Sequence, residues 1–452
     1  MQLTSPAFLL IFLPLALLLM LPVPKKHRLT ALALLSALWY ALANYRNPIG
    51  LGVIFILVLF AYAMVFPVPD IFPRLRLVFG TVLPLSLLLA ARLMAEYGPE
   101  GYLYPYGLTF VTLGTVSAVF DRIKSDADRP RTLSEFVAYL LFFPSLLMGP
   151  LVRWKNYRDV ASNVGIHMEQ LSLGIRLYMG GTVKRIAVSA VLLRTLDQII
   201  SYCGGQLHYL TALLLPFLAF FCFYFFLSGC SDISGGIALM FGLSLTRDRA
   251  PTPFVGDPLK FVFGFLRSLS AYLSHYVAKP LSRRLQGRGG RVLAVALSFV
   301  LWVLFFRTRL DIFLFAAPLL LLLLICAPWK AVPRNRGLRL LLTFCSFAVF
   351  SLLALAMLRE DPRELVPLFA SLKNETDIYG FYYIYSAVTD TRYLLVGAII
   401  VFLYFPFTHF RGLIERRCKE KLLTVLHYTE LLLLFAGFLV TGFSSPQVCR
   451  LA

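Results

Sequence analysis

The chain has 452 residues, 59% of them hydrophobic and only 15% charged, with a mean hydropathy of +0.77. A soluble domain carries about a quarter charged residues, and the uncharged apolar runs here reach the ~20 residues that cross ~30 Å of hydrocarbon, so a water-soluble globule is excluded. The runs are continuous rather than alternating, which excludes a β-barrel, and the net charge of +20 falls in short loops beside them, which is a membrane-topology signal and no sign of nucleic-acid binding.

The expected fold is an all-α polytopic membrane protein of about 11–13 transmembrane helices with re-entrant or interfacial helices. The first apolar run, 6–24, lacks a basic n-region and a small-residue cleavage pattern before Lys25, so it reads as a retained span. Spans over 29–45, 49–66 and 77–96 follow. Lys25, Lys26 and Arg28 assign the first loop to the cytoplasm and the N-terminus to the outside. Arg74 and Arg76 then bring the chain back in, and Glu96 and Glu100 lie outside.

Further runs cover 107–121, 133–152, 171–200, 207–228 and 230–246. The stretch 247–289 is different. It is too polar to span in its first part and amphipathic in its second, with Gly264 and Pro280 as interruptions. Irregular backbone at membrane depth needs protein or a water-filled cavity around it, so short re-entrant or interfacial helices on the cytoplasmic side are expected. Runs at 290–306, 310–328, 337–358, 392–408 and 422–443 complete the chain. The polar excursion 359–392 holds six acidic against four basic residues and reads as an outside loop. Its Asn374-Glu375-Thr376 fits a glycosylation sequon, a triplet common by chance.

The seven cysteines sit mostly in apolar runs without a CxxC pair, so they read as packing residues, with neither a disulfide framework nor a metal site. The basic loops also favour anionic lipid headgroups. No internal repeat is visible. The chain reads as one integral membrane domain, 1–452, with N-terminal helices over 1–100, a core over 101–360, and a C-terminal loop and helices over 361–452.

Three charged sites stand out on chemistry alone. Asp232 lies between apolar runs with no compensating charge beside it, and an ionisable group at that depth faces a cavity or a partner; it either organises a site or acts as a hydrogen-bond hub. Arg153 closes an apolar run broken by Pro144 and Gly149-Pro150, where it pins a loop, snorkels or simply anchors a helix end. Lys184-Arg185 interrupts a long apolar stretch, so the pair ends a span, the commoner case, or faces a cavity.

Motifs in a fixed order give these sites a context. Gly107-Leu108-Thr109-Phe110-Val111-Thr112 precedes Asp121; Phe142-Phe143-Pro144 runs on through Gly149-Pro150 to Arg153; Gly181-Thr182-Val183-Lys184-Arg185 comes next. Then follow Ser228-Gly229-Cys230-Ser231-Asp232, Ser268-Leu269-Ser270, and Tyr276-Val277-Ala278-Lys279-Pro280-Leu281. In sequence and spacing this resembles the membrane-bound O-acyltransferase (MBOAT) family. The likeness is to its bacterial branch of alginate O-acetyltransferases and D-alanyl transfer proteins, and it extends from about Gly107 to Arg359.

The resemblance implies a bundle around a tunnel, where a cytoplasmic acyl thioester, carried by coenzyme A or an acyl carrier protein, meets an acceptor hydroxyl from the other face. It implies no bound cofactor and no metal. It makes Arg153, Lys184, Ser231, Asp232 and Ser268 site-organising residues. The chain departs from the family at the chemistry. The family's two histidine positions are Leu266 and Val303, and His275 stands where the family has aspartate. Two further family aspartates are Phe226 and Ala190. A base for the acceptor hydroxyl suits histidine, whose pKa lies near 7, and neither leucine nor valine can replace it.

His275 is the histidine inside the core motifs and the candidate for a relocated base. His27, His167 and His208 fall in loops or at span ends, and His409 and His427 flank the last basic loop. Two functions fit: an MBOAT-like protein of envelope or exopolysaccharide modification, catalytic by altered chemistry or inactive, and a non-catalytic scaffold, acyl-relay or lipid-binding subunit beside an active periplasmic or membrane partner. The expected location is the bacterial inner membrane.

Overall fold

The computed structural model describes residues 7–66, 73–99, 101–124, 130, 132–147, 151–203, 207–245, 257–285, 287–328, 335–372, 382 and 386. The expected spans 392–408 and 422–443, the Asn374 triplet, His409, His427 and Met148 to Pro150 lie outside them.

All regular elements among the described residues are helical. A π-turn, Phe8–Phe12, runs into α1 (Leu13–Met20) and is followed by α2 (Arg28–Ala43), α3 (Pro48–Val65), α4 (Pro73–Tyr97) and α5 (Leu108–Lys124). Then come α6 (Leu133–Leu140), a 3-10 turn (Phe143–Leu147), α7 (Trp154–Ala161) and α8 (Met168–Val183). A second π-turn, Lys184–Ser189, joins α8 to α9 (Ala190–Tyr202), and α10 (Tyr209–Met240) follows. Three short helices, α11 (Pro258–Gly264), α12 (Arg267–Leu273) and α13 (Lys279–Arg284), enclose a third π-turn, Ser274–Ala278. The rest is α14 (Arg288–Phe306), α15 (Ile312–Cys326), α16 (Arg336–Leu358) and α17 (Leu365–Ala370).

This is an all-α polytopic membrane protein. Among the described residues five helical stretches are long and apolar enough to cross a bilayer: Pro48–Val65, Leu75–Tyr97, Tyr209–Met240, Arg288–Phe306 and Gly337–Leu358. Phe8–Met20, Leu133–Ser145 and Ile312–Cys326 are shorter apolar helices. The stretch 207–246, expected as two spans, is instead one helix of 32 residues. Its Ser228-Gly229 lowers helix propensity without breaking the ladder, and Pro216 is accommodated inside it. At 1.5 Å per residue α10 is about 48 Å long, well beyond the ~30 Å hydrocarbon thickness.

The chain divides into two compact units. The first comprises Met1–Tyr178 and Ser231–Arg247. Its aromatic hub is Phe143, fully buried in the 3-10 turn that Pro144 imposes after α6. Phe143 meets Phe12 at 5.9 Å, Trp39 at 6.2 Å and Phe241 at 5.7 Å. Asn44 grips Tyr106 through both backbone groups, accepting from its N–H at 2.9 Å and donating to its carbonyl at 3.3 Å.

Within this unit α8 and the end of α10 touch backbone to backbone. A Cβ on Gly236 would lie 2.7 Å from both the Gly174 carbonyl oxygen and the Tyr178 nitrogen, and a Cβ on Gly174 would lie 2.6 Å from the Gly236 oxygen. Small residues at such a crossing let dispersion and packing hold membrane helices together. Gly236→Ala is therefore expected to lower stability by about 1–3 kcal/mol, read as a fall in the thermal midpoint in detergent. Gly52→Ala, at a site with open space around it, is the matched control and leaves the midpoint in place.

The second unit comprises Met179–Cys230 and Asp248–Ala452. Its α11 packs against α15 and α16, and α12, the third π-turn and α13 pack along α14. The segment 258–284 thus forms short helices seated on long ones. One end of this unit holds ion pairs. Arg309 reaches Asp311 at 2.9 Å and Asp361 at 3.1 Å, Arg363 reaches Asp311 at 2.7 Å, and Arg359 reaches Asp197 at 2.7 Å. The hydrogen bonds from Arg363 and then Arg309 hold the Asp311 carboxyl below the usual carboxylate range. The α13 end of α14 carries instead a run of arginines.

Candidate functional site

Leu266 sits in the break between α11 and α12, where its φ of −128° and ψ of 86° leave the helical region. It is 2% exposed, and Val303 on α14 is fully buried. Their neighbours in sequence, Phe265 and Trp302, belong to a cluster of rings in the second unit. Phe265 stacks on Phe350 at 4.3 Å and meets Phe261 edge-on at 5.3 Å. Trp302 lies 4.7 Å from Phe306 and 6.1 Å from Phe350, and Phe220 lies 4.5 Å from Phe347. Phe220, Trp302 and Phe350 stand roughly 17–21 Å in from the starts of α10, α14 and α16 at 1.5 Å per residue. Phe261 and Phe265 join them in the ring cluster.

Among the described residues of α12 and α14, the Trp302 Nε1, the Ser298 Oγ and the Ser270 Oγ are buried without a hydrogen-bond partner. Trp302 and Ser298 lie one turn apart on the same face of α14. Each unsatisfied group costs about 1–3 kcal/mol, so the region keeps polar atoms that its apolar neighbours leave unsatisfied. His275 occupies the third π-turn, half-buried, its ring 4.9 Å from that of Tyr276. Ser268 is half-buried on α12.

Lys184 and Arg185 open the second π-turn, inside an unbroken run of helix rather than at a span end. The extra residue of a π-turn shifts the helix face, and such turns recur at functional sites. Lys184 Nζ donates to Ser228 Oγ at 3.1 Å. Arg185, 4% exposed, holds its guanidinium 5.4 Å from the ring centre of Phe226. Where the resemblance puts an aspartate, the chain thus sets a ring face under the cation. The close approach of Gly229 permits this: a Cβ there would lie 2.8 Å from the Gly181 oxygen and 3.0 Å from the Arg185 nitrogen.

Arg153, Ser231 and Asp232 belong to the first unit. Ser231 is fully buried and Asp232 half-buried on α10. Arg153 lies 3.6 Å from Asp121, whose side chain is 3% exposed. Asp121 also accepts from the Lys155 N–H at 3.4 Å, and Ser117, one turn earlier on α5, accepts from the Trp154 N–H at 3.0 Å. Two side chains of α5 therefore receive the first free N–H groups of α7, a carboxylate among them where the helix dipole favours negative charge. Beside α7, Phe110, Gly114, Tyr139, Phe142, Leu151 and Tyr157 line a cavity of about 20 Å³, room for a single water. The Tyr157 hydroxyl is buried without a partner, and burial together with the Glu135 charge raises its pKa.

Ser117 and the Phe220–Phe350 ring cluster were not singled out from sequence. The first is signalled by its i, i+4 relation to Asp121; the second joins residues 130 positions apart and has no local signal. Among the described residues no group of three or more His, Cys, Asp or Glu side chains could hold a metal ion.

No family model matches the chain. It is 26% identical over 199 residues to a probable alginate O-acetylase of Pseudomonas syringae pv. tomato, covering 42% of this chain and 36% of that protein. The corresponding protein of Pseudomonas putida is 25% identical over 209 residues, 43% and 41% of the two chains. That of Pseudomonas aeruginosa is 26% identical over 184 residues, 39% and 33%. The matched region thus spans between a third and about two fifths of the length of these curated relatives. The relationship supported is an MBOAT-like one, to bacterial alginate O-acetylases.

Proposed function

We propose that the protein serves O-acylation of an envelope or exopolysaccharide acceptor as a non-catalytic MBOAT-like subunit, beside a partner that performs the transfer. The observation that carries this reading is the burial of Leu266 and Val303, at the positions where the resemblance puts histidines. Acyl transfer from a thioester needs a base to take the acceptor's proton as the hydroxyl attacks, a contribution of about 10²–10⁴-fold. Neither residue has a lone pair to offer. The similarity to alginate O-acetylases supports the acceptor class, and the apolar helices support a bilayer location, here taken as the bacterial inner membrane with the N-terminus outside. Acyl-CoA or an acyl carrier protein would be the donor to the active partner.

One feature favours a second reading, in which the chain is itself catalytic. His275 is half-buried in a π-turn that packs on the helix of Val303, and a base there would serve altered chemistry. Purified full-length protein supplied with labelled acetyl-CoA and polysaccharide separates the two. We expect no transfer by wild type or by His275→Ala, with both restoring acetylation in a strain lacking the gene. Turnover by wild type that His275→Ala abolishes would overturn the non-catalytic reading.

A further inference from the structure

The α13–α14 junction concentrates positive charge. Lys279, Arg283, Arg284, Arg288 and Arg291 are all exposed, and none has a carboxylate partner among the described residues. Arg291 is tied to the Pro328 carbonyl oxygen at 3.3 Å. The turn between the helices is built by glycine. Gly287 has φ +102°, and a Cβ on Gly290 would collide with the Leu285 carbonyl oxygen. That turn returns α13 onto α14, so the four arginines fall at one helix junction.

Exposed guanidinium groups at one helix junction make a positive surface that attracts anions. The dipole of α14 adds to that attraction, because the cations sit at its positive end. The apolar surroundings say where those anions are. Leu285, Leu293 and Leu297 are 46%, 48% and 42% exposed, and Arg288–Phe306 is long and apolar enough to span a bilayer. The charges therefore lie where the helix enters lipid, at the level of the headgroups, with leucines below to meet acyl chains.

We propose that the α13–α14 turn is a binding surface for anionic phospholipid headgroups, with Arg283, Arg284 and Arg288 taking the phosphates. Arginine suits this because its planar fork pairs with two phosphate oxygens at once. The surface is independent of the acyl-transfer reading, since no residue of the ring cluster belongs to it.

The test uses the full-length protein in nanodiscs of phosphatidylglycerol and phosphatidylcholine, with retained lipid counted by native mass spectrometry. Wild type is expected to retain phosphatidylglycerol in preference, and rising ionic strength to release it. A near-surface cation contributes roughly fivefold, so the Arg283→Gln, Arg284→Gln, Arg288→Gln triple variant is expected to lose about a hundredfold in that preference. The triple lysine variant keeps most of it, with an unchanged thermal midpoint in neutral detergent. If the glutamine variant does not fold, the lysine variant and the salt dependence of wild type still decide. Equal retention by wild type and a folded glutamine variant would overturn the proposal. So would a salt-insensitive preference, or bound phosphate that coenzyme A displaces and lipid does not.

Discussion

Phe350→Ala is expected to destabilise the second unit by about 3 kcal/mol. Phe350 is 1% exposed and meets five rings: Phe265 at 4.3 Å, Phe261 at 5.5 Å, Phe220 at 6.0 Å, and Phe223 and Trp302 at 6.1 Å. These rings come from α10, α11 with the residue that ends it, and α14, so one side chain joins three elements to α16. In a soluble core such a truncation costs about 3–5 kcal/mol. In lipid the transfer component shrinks, because the acyl chains are as apolar as the core, and the loss of dispersion contacts around a cavity remains. That argument selects the lower end of the range. Phe344 on the same helix is 71% exposed, so Phe344→Ala reads the helix without the cluster and leaves the thermal midpoint nearly unchanged. Equal effects of the two variants would mean that the rings contribute no specific packing.

Val303→His introduces the histidine that the resemblance implies at this position and is expected to lose stability without gaining transfer. The imidazole is larger than the isopropyl group it replaces, at a position with no exposure. Forcing volume into a packed site costs about 1–3 kcal/mol, and an unsatisfied ring N–H adds about 1–3 kcal/mol. A total loss of about 2–6 kcal/mol is expected, read as a fall in the thermal midpoint, with acetyl transfer still absent. Adding Leu266→His is expected to deepen the loss. A variant with wild-type stability and measurable transfer would show that the site accommodates the imidazole and would overturn the non-catalytic reading.

Class and most long spans were legible because they depend on local chain chemistry. The runs 49–66, 77–96, 290–306 and 337–358 emerge as α3, α4, α14 and α16 within a few residues, since each is an uninterrupted stretch of apolar side chains that length alone identifies. The stretch 207–246 misled because Ser228-Gly229 and Asp232 look like an interruption. Gly229 and Gly236 are instead contact points for a neighbouring backbone, and that is visible only when the neighbour is known. Lys184-Arg185 shows the same limit. Two cations in an apolar stretch resemble a helix end, and the π-turn that carries them across to Ser228 and Phe226 leaves no trace in residue type. In the candidate site, the motif frame singled out Leu266 and Val303, but the ring cluster that their neighbours Phe265 and Trp302 join is built from residues distant in sequence.

The seating of α11 on α15 and α16 constrains how the protein is made. The segment 258–284 is too polar and too broken to partition into lipid on its own, and the surfaces that satisfy it lie as far on as Phe350. At about 5–20 residues per second, roughly 90 further residues take several seconds to synthesise. During that interval the segment has to wait in the translocon or at the headgroup layer. The chain's topology is therefore completed late, and insertion runs out of sequence order.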